Sequence, residues 1–314
     1  MAPSASGASG PLSTSPPTPT KVPTAPLGRT GVEVSRLGIG CAWFQRKQVT
    51  PDDVAKTLHR ALELGVTYLD TAPSYGTPEG GYAEEKMGHV LPEIRDRVFL
   101  VTKTDEPTYD GTMKKLDQSL KRMRVEKLDL VHLHNFGDEK MWGDVKAVFG
   151  PKGALGALRK AKEQGIVRFF GASGHVHPGQ FHAALDTGEI DVLMNAANFV
   201  VQHTYDFEHR VWSRAARAGL GLVAMKVLGG APGTEGGYSV PQEHYERAIR
   251  YVLSLPSLAC AVIGLENIPE LEKAAAVVAR NAPLSPDESR ETARLGLELA
   301  ATEKWHAPYG EPLT

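Results

Sequence analysis

From Gly28 onward, short apolar runs bounded by Gly, Asp or Asn alternate with stretches of helical periodicity, and the alternation repeats eight times. This rhythm constrains the fold more than any other feature, because strands that alternate with helices pair in parallel and are covered by those helices. The predicted strands are Leu37–Ala42, Thr67–Asp70, Val98–Thr102, Leu128–His132, Arg168–Gly171, Asp191–Asn195, Gly221–Met225 and Ala261–Gly264. The predicted helices are Pro51–Leu64, Tyr82–Leu91, Thr112–Met123, Gly153–Gln164, Pro178–Asp186, Asp206–Ala218, Pro241–Leu253 and Pro269–Ala279, with a last one at Ser285–Ala300. Their ends carry the expected chemistry. Thr50 precedes Pro51, Asp52 and Asp53 at one start, and Gly65 follows that helix where a left-handed C-terminal residue is favoured. Eight such units in about 250 residues give a (β/α)8 TIM barrel, α/β in class and a single domain. A doubly wound open sheet is the alternative, but no Gly-x-Gly-x-x-Gly turn follows the first strand. Thr30–Arg36 is expected as a small hairpin closing the barrel floor.

Residues 1–28 read differently from the rest. Pro, Ser, Thr, Ala and Gly dominate them, and Lys21 is the one lysine. Such a composition buries too little surface to offset its ordering entropy, so a disordered tail is expected there, with the barrel over 29–314. The segment lacks the basic start and apolar stretch of a secretory signal. Of the 314 residues, 41% are hydrophobic and 23% charged, enough for a full core. The net charge of −2 offers no basic surface for nucleic acid or membrane, and no run of 18 apolar residues occurs. Cys41 and Cys260 stand far apart and match neither a disulfide framework nor a metal-type spacing. A cytoplasmic setting and a monomer or small homo-oligomer are expected.

In a parallel barrel the active site gathers at the carboxyl ends of the strands. Asp70 ends the second predicted strand and Lys103 follows the third. His132-Leu133-His134-Asn135 closes the fourth. Ser173-Gly174-His175 follows the fifth, and Met225-Lys226 ends the seventh. Acid, base and imidazole thereby converge from adjacent strand ends. Each has a plainer reading taken singly: Asp70 as a turn residue, Tyr75 as a surface aromatic, Lys103 as a solvated strand end. His132 and His134 share a strand at a spacing of two and so share a face. His132 is read as a packed or hydrogen-bonded core residue.

Tyr68-Leu69-Asp70-Thr71-Ala72-Pro73-Ser74-Tyr75-Gly76 places a phenol five residues after the aspartate. This segment resembles the aldo-keto reductase family, in which a strand-end aspartate precedes the catalytic tyrosine by five. The likeness continues in order through Arg36-Leu37-Gly38-Ile39-Gly40, Gly81-Tyr82-Ala83-Glu84-Glu85-Lys86-Met87-Gly88, Val101-Thr102-Lys103 and Leu128-Asp129-Leu130-Val131-His132-Leu133-His134. It spans roughly residues 28–280. It implies that Asp70, Tyr75, Lys103 and His134 form the catalytic group of an NAD(P)H-dependent oxidoreductase that interconverts aldehydes or ketones and alcohols. In that scheme Tyr75 is the general acid and Lys103 lowers its phenol pKa. Asp70 keeps the lysine charged, and His134 orients the substrate oxygen.

The resemblance also implies a nicotinamide cofactor across the strand ends, held by Gly40, Cys41, Asp70, Ser173, Met225, Lys226, Leu228, Gly229, Gly264 and Asn267. Gly171-Ala172-Ser173-Gly174 is similar to the family's Gly-x-Ser-Asn turn with its Asn replaced by Gly174. The family's strand-six glutamine falls on Met194, and its ring-stacking aromatic falls on Met225, whose sulfur can cover a ring face. Met225-Lys226 marks a branch whose members often carry a C-terminal cysteine cluster. This sequence has none, so neither an iron-sulfur cluster nor a metal is implied. NADP(H) is the family default. At the adenine end, however, Ile263-Gly264-Leu265-Glu266-Asn267-Ile268-Pro269-Glu270 puts Glu270 where the family has an arginine for the 2′-phosphate, so NAD(H) is the other candidate. The helix opening near Asn267 is expected to receive an anion.

For the substrate, Trp43, Tyr75, His134 and Phe136, with Trp142, are expected at the mouth and suit an apolar or aromatic carbonyl compound or a sugar stacked on a ring; packing anchors are the plainer reading. Gly229–Gly237 reads as a flap or a surface loop. Three rivals remain at the level of sequence. One is a metal-dependent barrel hydrolase using His132-x-His134 and His175-x-His177. Another is a lyase with Lys226 or Lys103 as a Schiff base. The third is a cofactor-binding barrel with a sensor or partner role.

Overall fold

The computed structural model describes residues 21–229, 239–302 and 305. Eight strands close a barrel: β1 (Leu37–Gly40), β2 (Tyr68–Asp70), β3 (Phe99–Thr104), β4 (Leu128–Leu133), β5 (Val167–Gly174), β6 (Val192–Ala196), β7 (Gly221–Met225) and β8 (Leu258–Gly264). Each pairs in parallel with the next, and β8 pairs with β1 through Ala261 opposite Leu37. Every predicted strand is present, Gly221–Met225 with the same ends and the other seven with shifted ones. The first stops at Gly40, and Cys41–Gln45 turns into a 3-10 helix instead of continuing to Ala42. Among the described residues no helix is long and apolar enough to cross a membrane.

Strand periodicity divides the side chains into two cores. Tyr68, Phe99, Val101, Leu130, Met194, Val223, Cys260 and Val262 point into the barrel, while Leu69, Leu100, Val131 and Leu133 pack outward among the larger helix-covered core. Gly38 makes room inside: a Cβ there would lie 2.9 Å from the Tyr68 ring. Three helix starts are fixed by side-chain caps, two of them at the start signals read in the sequence, Thr50 and Ser285. The side chains of Thr50, Asn267 and Ser285 each accept the backbone N–H of the residue three further on. A cap of this kind contributes about 1 kcal/mol.

The helix expected over Tyr82–Leu91 is two short ones, Ala83–Met87 and Leu91–Ile94. Gly88 between them is pressed to the helix Tyr109–Met123, where a Cβ would come 2.1 Å from the Arg122 carbonyl oxygen. Within the helical stretch expected over Asp206–Ala218, Glu208–Trp212 is π-helical and the Trp212 indole donates to Asn195 Oδ1 at 2.9 Å.

The expected tail boundary at residue 28 is corrected. Thr24–Pro26 pairs antiparallel with Glu33–Ser35, so the floor hairpin begins inside the compositionally biased segment. Leu27 and Val34 plug the barrel bottom and are fully buried. Two apolar residues, Val22 and Leu27, anchor the stretch, a signal that averaging over its composition conceals. Residues 1–20 of the expected tail, and the Gly-rich run beyond Gly229, lie outside the described residues.

Candidate active site

The strand registers bring the candidate residues to one level. Gly40 stands opposite Asp70, Asp70 opposite Val101, and Lys103 opposite His132. Asp70 and Lys103 point inward at the rim because they continue the inward rows Tyr68–Asp70 and Phe99–Val101–Lys103. Tyr75 is delivered by a tight turn after β2. Its N–H donates to the Ala72 carbonyl at 3.1 Å and its carbonyl accepts from Ala83 at 2.9 Å. The next residue must be glycine: Gly76 has φ +129°, and a Cβ there would fall 2.3 Å from the Gly81 carbonyl oxygen.

The Lys103 ammonium has three N–H groups and three acceptors. It donates to Asp70 Oδ2 at 2.7 Å, to the Thr71 carbonyl at 2.8 Å and to the Tyr75 hydroxyl oxygen at 3.3 Å. Lys103 and Asp70 are buried, at 1% and 2% exposure, so neither charge is screened by water. Burial opposes both charges. For Lys103 the carboxylate, with help from Tyr75, outweighs burial and holds the ammonium above its ordinary range. For Asp70 burial wins and the carboxyl is pushed up, against the pull of Lys103. Tyr75 differs from the sequence expectation: burial raises its phenol, and the lowering by Lys103 does not overcome it. The phenol therefore keeps its proton at neutral pH. Its oxygen accepts from Lys103, which leaves its own O–H to donate elsewhere.

His134 stands edge-on to Tyr75, ring centroids 6.1 Å apart. Burial, then Lys103 and His175, press its pKa well below the ordinary value, so it is a neutral imidazole. Its backbone is pinned by its N–H to Thr104 and by the Trp142 indole, which donates to its carbonyl at 2.8 Å. His132 lies beneath, fully buried, and neither ring nitrogen has a hydrogen-bond partner among the described residues. Gly171 opposite it provides the space, since a Cβ there would come 2.7 Å from its Nδ1.

These groups open into a cavity of about 600 Å3. Asp70, Tyr75, Lys103 and His134 line it, as do Gly40, Trp43, Met225, Lys226, Leu228, Gly229 and Gly264 from the expected cofactor and substrate sets. Four expected residues are not on its wall. Phe136 is corrected from substrate contact to packing anchor: it is fully buried among Trp142, Phe149 and Phe181, with Trp142 equally enclosed. Cys41 is sealed beneath the wall, its thiol pushed up by burial. Ser173 is fully buried and turned to the Leu133 carbonyl at 3.5 Å. Asn267 spends its side chain on the helix Ile268–Ala279, accepting from Glu270 N at 3.0 Å. The loss of the family's asparagine at Gly174 has a steric cause, because a Cβ there would lie 2.3 Å from the Phe136 carbonyl oxygen.

Sequence reasoning missed Gln45, Arg46, Asn135, His175 and Glu266 as lining residues. His175 was legible by parity, two residues past the inward Ser173. Burial, with Lys226 and Lys103, lowers its pKa to about 3. Lys86 was quoted only as a motif residue, yet its ammonium donates to the Phe44 and Arg46 carbonyls at 2.9 and 2.8 Å and so fixes the loop that carries Trp43.

Two features of the wall fit a nicotinamide dinucleotide. Asp70 Oδ1 is buried and has no hydrogen-bond partner among the described residues, so it stands ready for a hydroxyl donor. Lys226 forms no ion pair there and faces the cavity from a left-handed backbone position, φ +57°. Burial, then Lys103, depress its pKa to about 8. For a metal the donor set is poor: among the described residues no three His, Cys, Asp or Glu side chains converge to hold an ion.

Comparison with known proteins gives the same direction. The chain is 23% identical to L-galactose dehydrogenase of Arabidopsis thaliana over 307 residues, covering 86% of this chain and 92% of that protein. A shorter stretch of 121 residues is 36% identical to 6-dehydroglucose reductase of Novosphingobium aromaticivorans, covering 34% of this chain and 40% of that protein. The fold superposes on an aldo/keto reductase from Klebsiella pneumoniae solved in complex with NADP and acetate, with a TM-score of 0.68 at 19% identity, covering 86% of this chain and 94% of that one. The sequence pattern of the Aldo/keto reductase family matches residues 36–238. With more than half its length matched and the barrel closed around that match, this chain belongs to the aldo/keto reductase family.

Proposed function

We propose that the chain catalyses reversible hydride transfer between a nicotinamide dinucleotide and a small carbonyl compound, with Tyr75 as the proton donor. The observation that carries this reading is the saturated ammonium of Lys103. With its three N–H groups spent on Asp70, Thr71 and the Tyr75 oxygen, the phenol O–H is the donor left to face the cavity.

The nicotinamide, when bound, supplies the hydride. The carbonyl carbon takes that hydride, and the carbonyl oxygen takes the Tyr75 proton. As the proton leaves, Lys103 already sits against the phenolate oxygen and stabilises it. Asp70 keeps Lys103 charged and leaves Oδ1 for a hydroxyl of the bound cofactor. His134, neutral and edge-on to Tyr75, donates to the same carbonyl oxygen and fixes its direction. Met225 and Lys226 line the cavity and would hold the dinucleotide, the Met225 sulfur against the ring and the Lys226 ammonium toward the diphosphate. NADP(H) is the cofactor that the family resemblance implies and that the Klebsiella relative holds; the choice against NAD(H) falls on the residues at the end of β8.

The substrate reading is a small hydroxylated aldehyde or ketone. Trp43 offers a ring face, while Gln45, Asn135, His134 and His175 offer polar groups beside it. The names of the two sugar-acting relatives support the same class. A cytoplasmic setting is consistent with two cysteines that are both free and buried. The test is consumption of NADH or NADPH on adding glyceraldehyde, an aldohexose or an unsubstituted aldehyde. Turnover with a hydroxylated carbonyl that Tyr75→Phe abolishes is expected. Equal turnover by Tyr75→Phe with intact folding would remove Tyr75 from its role.

A further inference from the structure

The cavity has two ends. One holds Asp70, Tyr75, Lys103 and His134. The other is walled by Val262, Ile263, Gly264 and Glu266 from β8 and the turn beyond it, with Arg46 facing them from the loop after β1. A dinucleotide whose nicotinamide meets Tyr75 carries its adenosine away from the catalytic group. The wall of β7 and β8, from Met225 through Gly229 and Gly264 to Glu266, leads in that direction. A ligand in this cavity is called for independently by the buried, unpartnered Asp70 Oδ1 at its inner end.

The outer end is built against a phosphate. The helix Ile268–Ala279 starts there, and a helix start ordinarily welcomes an anion through its free N–H groups. Here the chain's own side chains occupy that position. Glu270 Oε2 accepts from Glu266 N at 2.9 Å, and Glu270 Oε1 accepts from Asn267 Nδ2 at 3.2 Å. Asn267 Oδ1 in turn takes Glu270 N at 3.0 Å. The anion expected from sequence is thus supplied internally, by Glu270. Glu266 adds a second carboxylate, exposed on the cavity wall. The two crowd each other: burial, and then Glu270, push the Glu266 carboxyl up, while Arg46 pulls the other way. Arg46 is the nearby cation, and its guanidinium is stacked on Trp43 at 4.1 Å.

We propose that Glu266 and Glu270 make this end selective for NAD(H) over NADP(H), with Glu266 accepting the hydroxyls of the adenosine ribose. A ribose diol has two O–H donors that a carboxylate accepts directly, the recognition that elsewhere selects the unphosphorylated dinucleotide. A 2′-phosphate removes one of the two donors and adds negative charge beside two carboxylates, at a helix start that Asn267 and Glu270 already cap. The residues thus fit the nicotinamide and diphosphate portions but not the added phosphate. This inference rests on the nicotinamide reading above.

The test is binding without substrate. NADH and NADPH are titrated separately into the full-length protein, following quenching of its tryptophan fluorescence, and the same is done for Glu266→Arg and Glu266→Gln. Glu266 is exposed, so neither variant disturbs the core. The expected result is NADH tighter than NADPH by about tenfold or more in the wild type. Glu266→Arg is expected to shift that ratio toward NADPH by at least about tenfold, and Glu266→Gln by less. Wild-type protein that binds NADPH as tightly as NADH, or a ratio unmoved by Glu266→Arg, overturns the selectivity and leaves hydride transfer standing. Folded protein that binds neither overturns both.

Discussion

The two ends of the cavity are built on different parts of the barrel. The inner end stands on β2, β3 and β4, where buried Lys103 spends its three N–H groups on Asp70, Thr71 and Tyr75. The cofactor end stands on the turns after β5, β7 and β8. There Gly174, Met225 and Glu270 depart from what the family resemblance implies, while the strands beneath keep their register. The difference is one of constraint. Moving Lys103 would strand the buried Asp70 carboxylate, whereas exchanging an exposed residue such as Glu266 leaves the barrel core untouched. Chemistry is thus locked to the fold, and cofactor and substrate preference are left adjustable.

This contrast can be broken from either side. Tyr75→Phe should lower carbonyl reduction by about 10²–10⁴-fold while leaving cofactor affinity within a factor of about two. Steady-state kinetics beside a cofactor titration would show the split, and a parallel loss of binding would argue that Tyr75 only shapes the wall. Lys103→Met should abolish turnover and also destabilise the fold by about 3–5 kcal/mol, because a buried carboxylate is left unpaired. Denaturant unfolding would measure this; an unchanged midpoint would place Asp70 in better contact with water than its burial indicates.

Phe136→Ala sharpens the boundary between site and scaffold. As a core aromatic it should cost about 3–5 kcal/mol of stability, with substrate KM in the surviving folded protein unchanged. A large KM effect at intact stability would return it to the substrate wall. The smallest effect concerns pH. Free Lys226 loses its proton near pH 8, and a bound diphosphate favours the ammonium, so dinucleotide affinity should fall as pH rises through about 8. Lys226→Met should bind more weakly and flatten that profile. A slope that survives in Lys226→Met would assign it to another group.

Much of the fold is legible in the sequence. Hydrophobic rhythm marked all eight strands, since a strand buried on both faces by helices leaves a continuous apolar run. The convergence of Asp70, Tyr75, Lys103 and His134 on one cavity was legible because strand ends of a parallel barrel face one space. The misreadings share a cause: they concern what packs against what. Phe136 looks like a mouth residue until the loop after β4 folds back and buries it. Leu27 looks like part of a polar tail until the hairpin inserts it into the barrel floor. Gly174 reads as a lost cofactor contact, and the sequence does not show that the Phe136 carbonyl leaves no space there for a side chain. Glu270 reads as a charge that stands against a phosphate, and the structure adds what the sequence does not show: its carboxylate is held at the helix start by Glu266 N and the Asn267 side chain. None of these follows from local periodicity, because each is set by a segment distant in sequence or by a side chain's choice among neighbours.

The most direct test of the central claim is isotope transfer. NADH and NADPH deuterated at the transferring nicotinamide position would be incubated separately with the protein and a hydroxylated aldehyde such as glyceraldehyde, and the alcohol product analysed by mass spectrometry. The account predicts deuterium on the new carbinol carbon with wild-type protein and its loss with Tyr75→Phe. Unlabelled product, or none from folded protein saturated with either cofactor across a panel of carbonyl compounds, would contradict it.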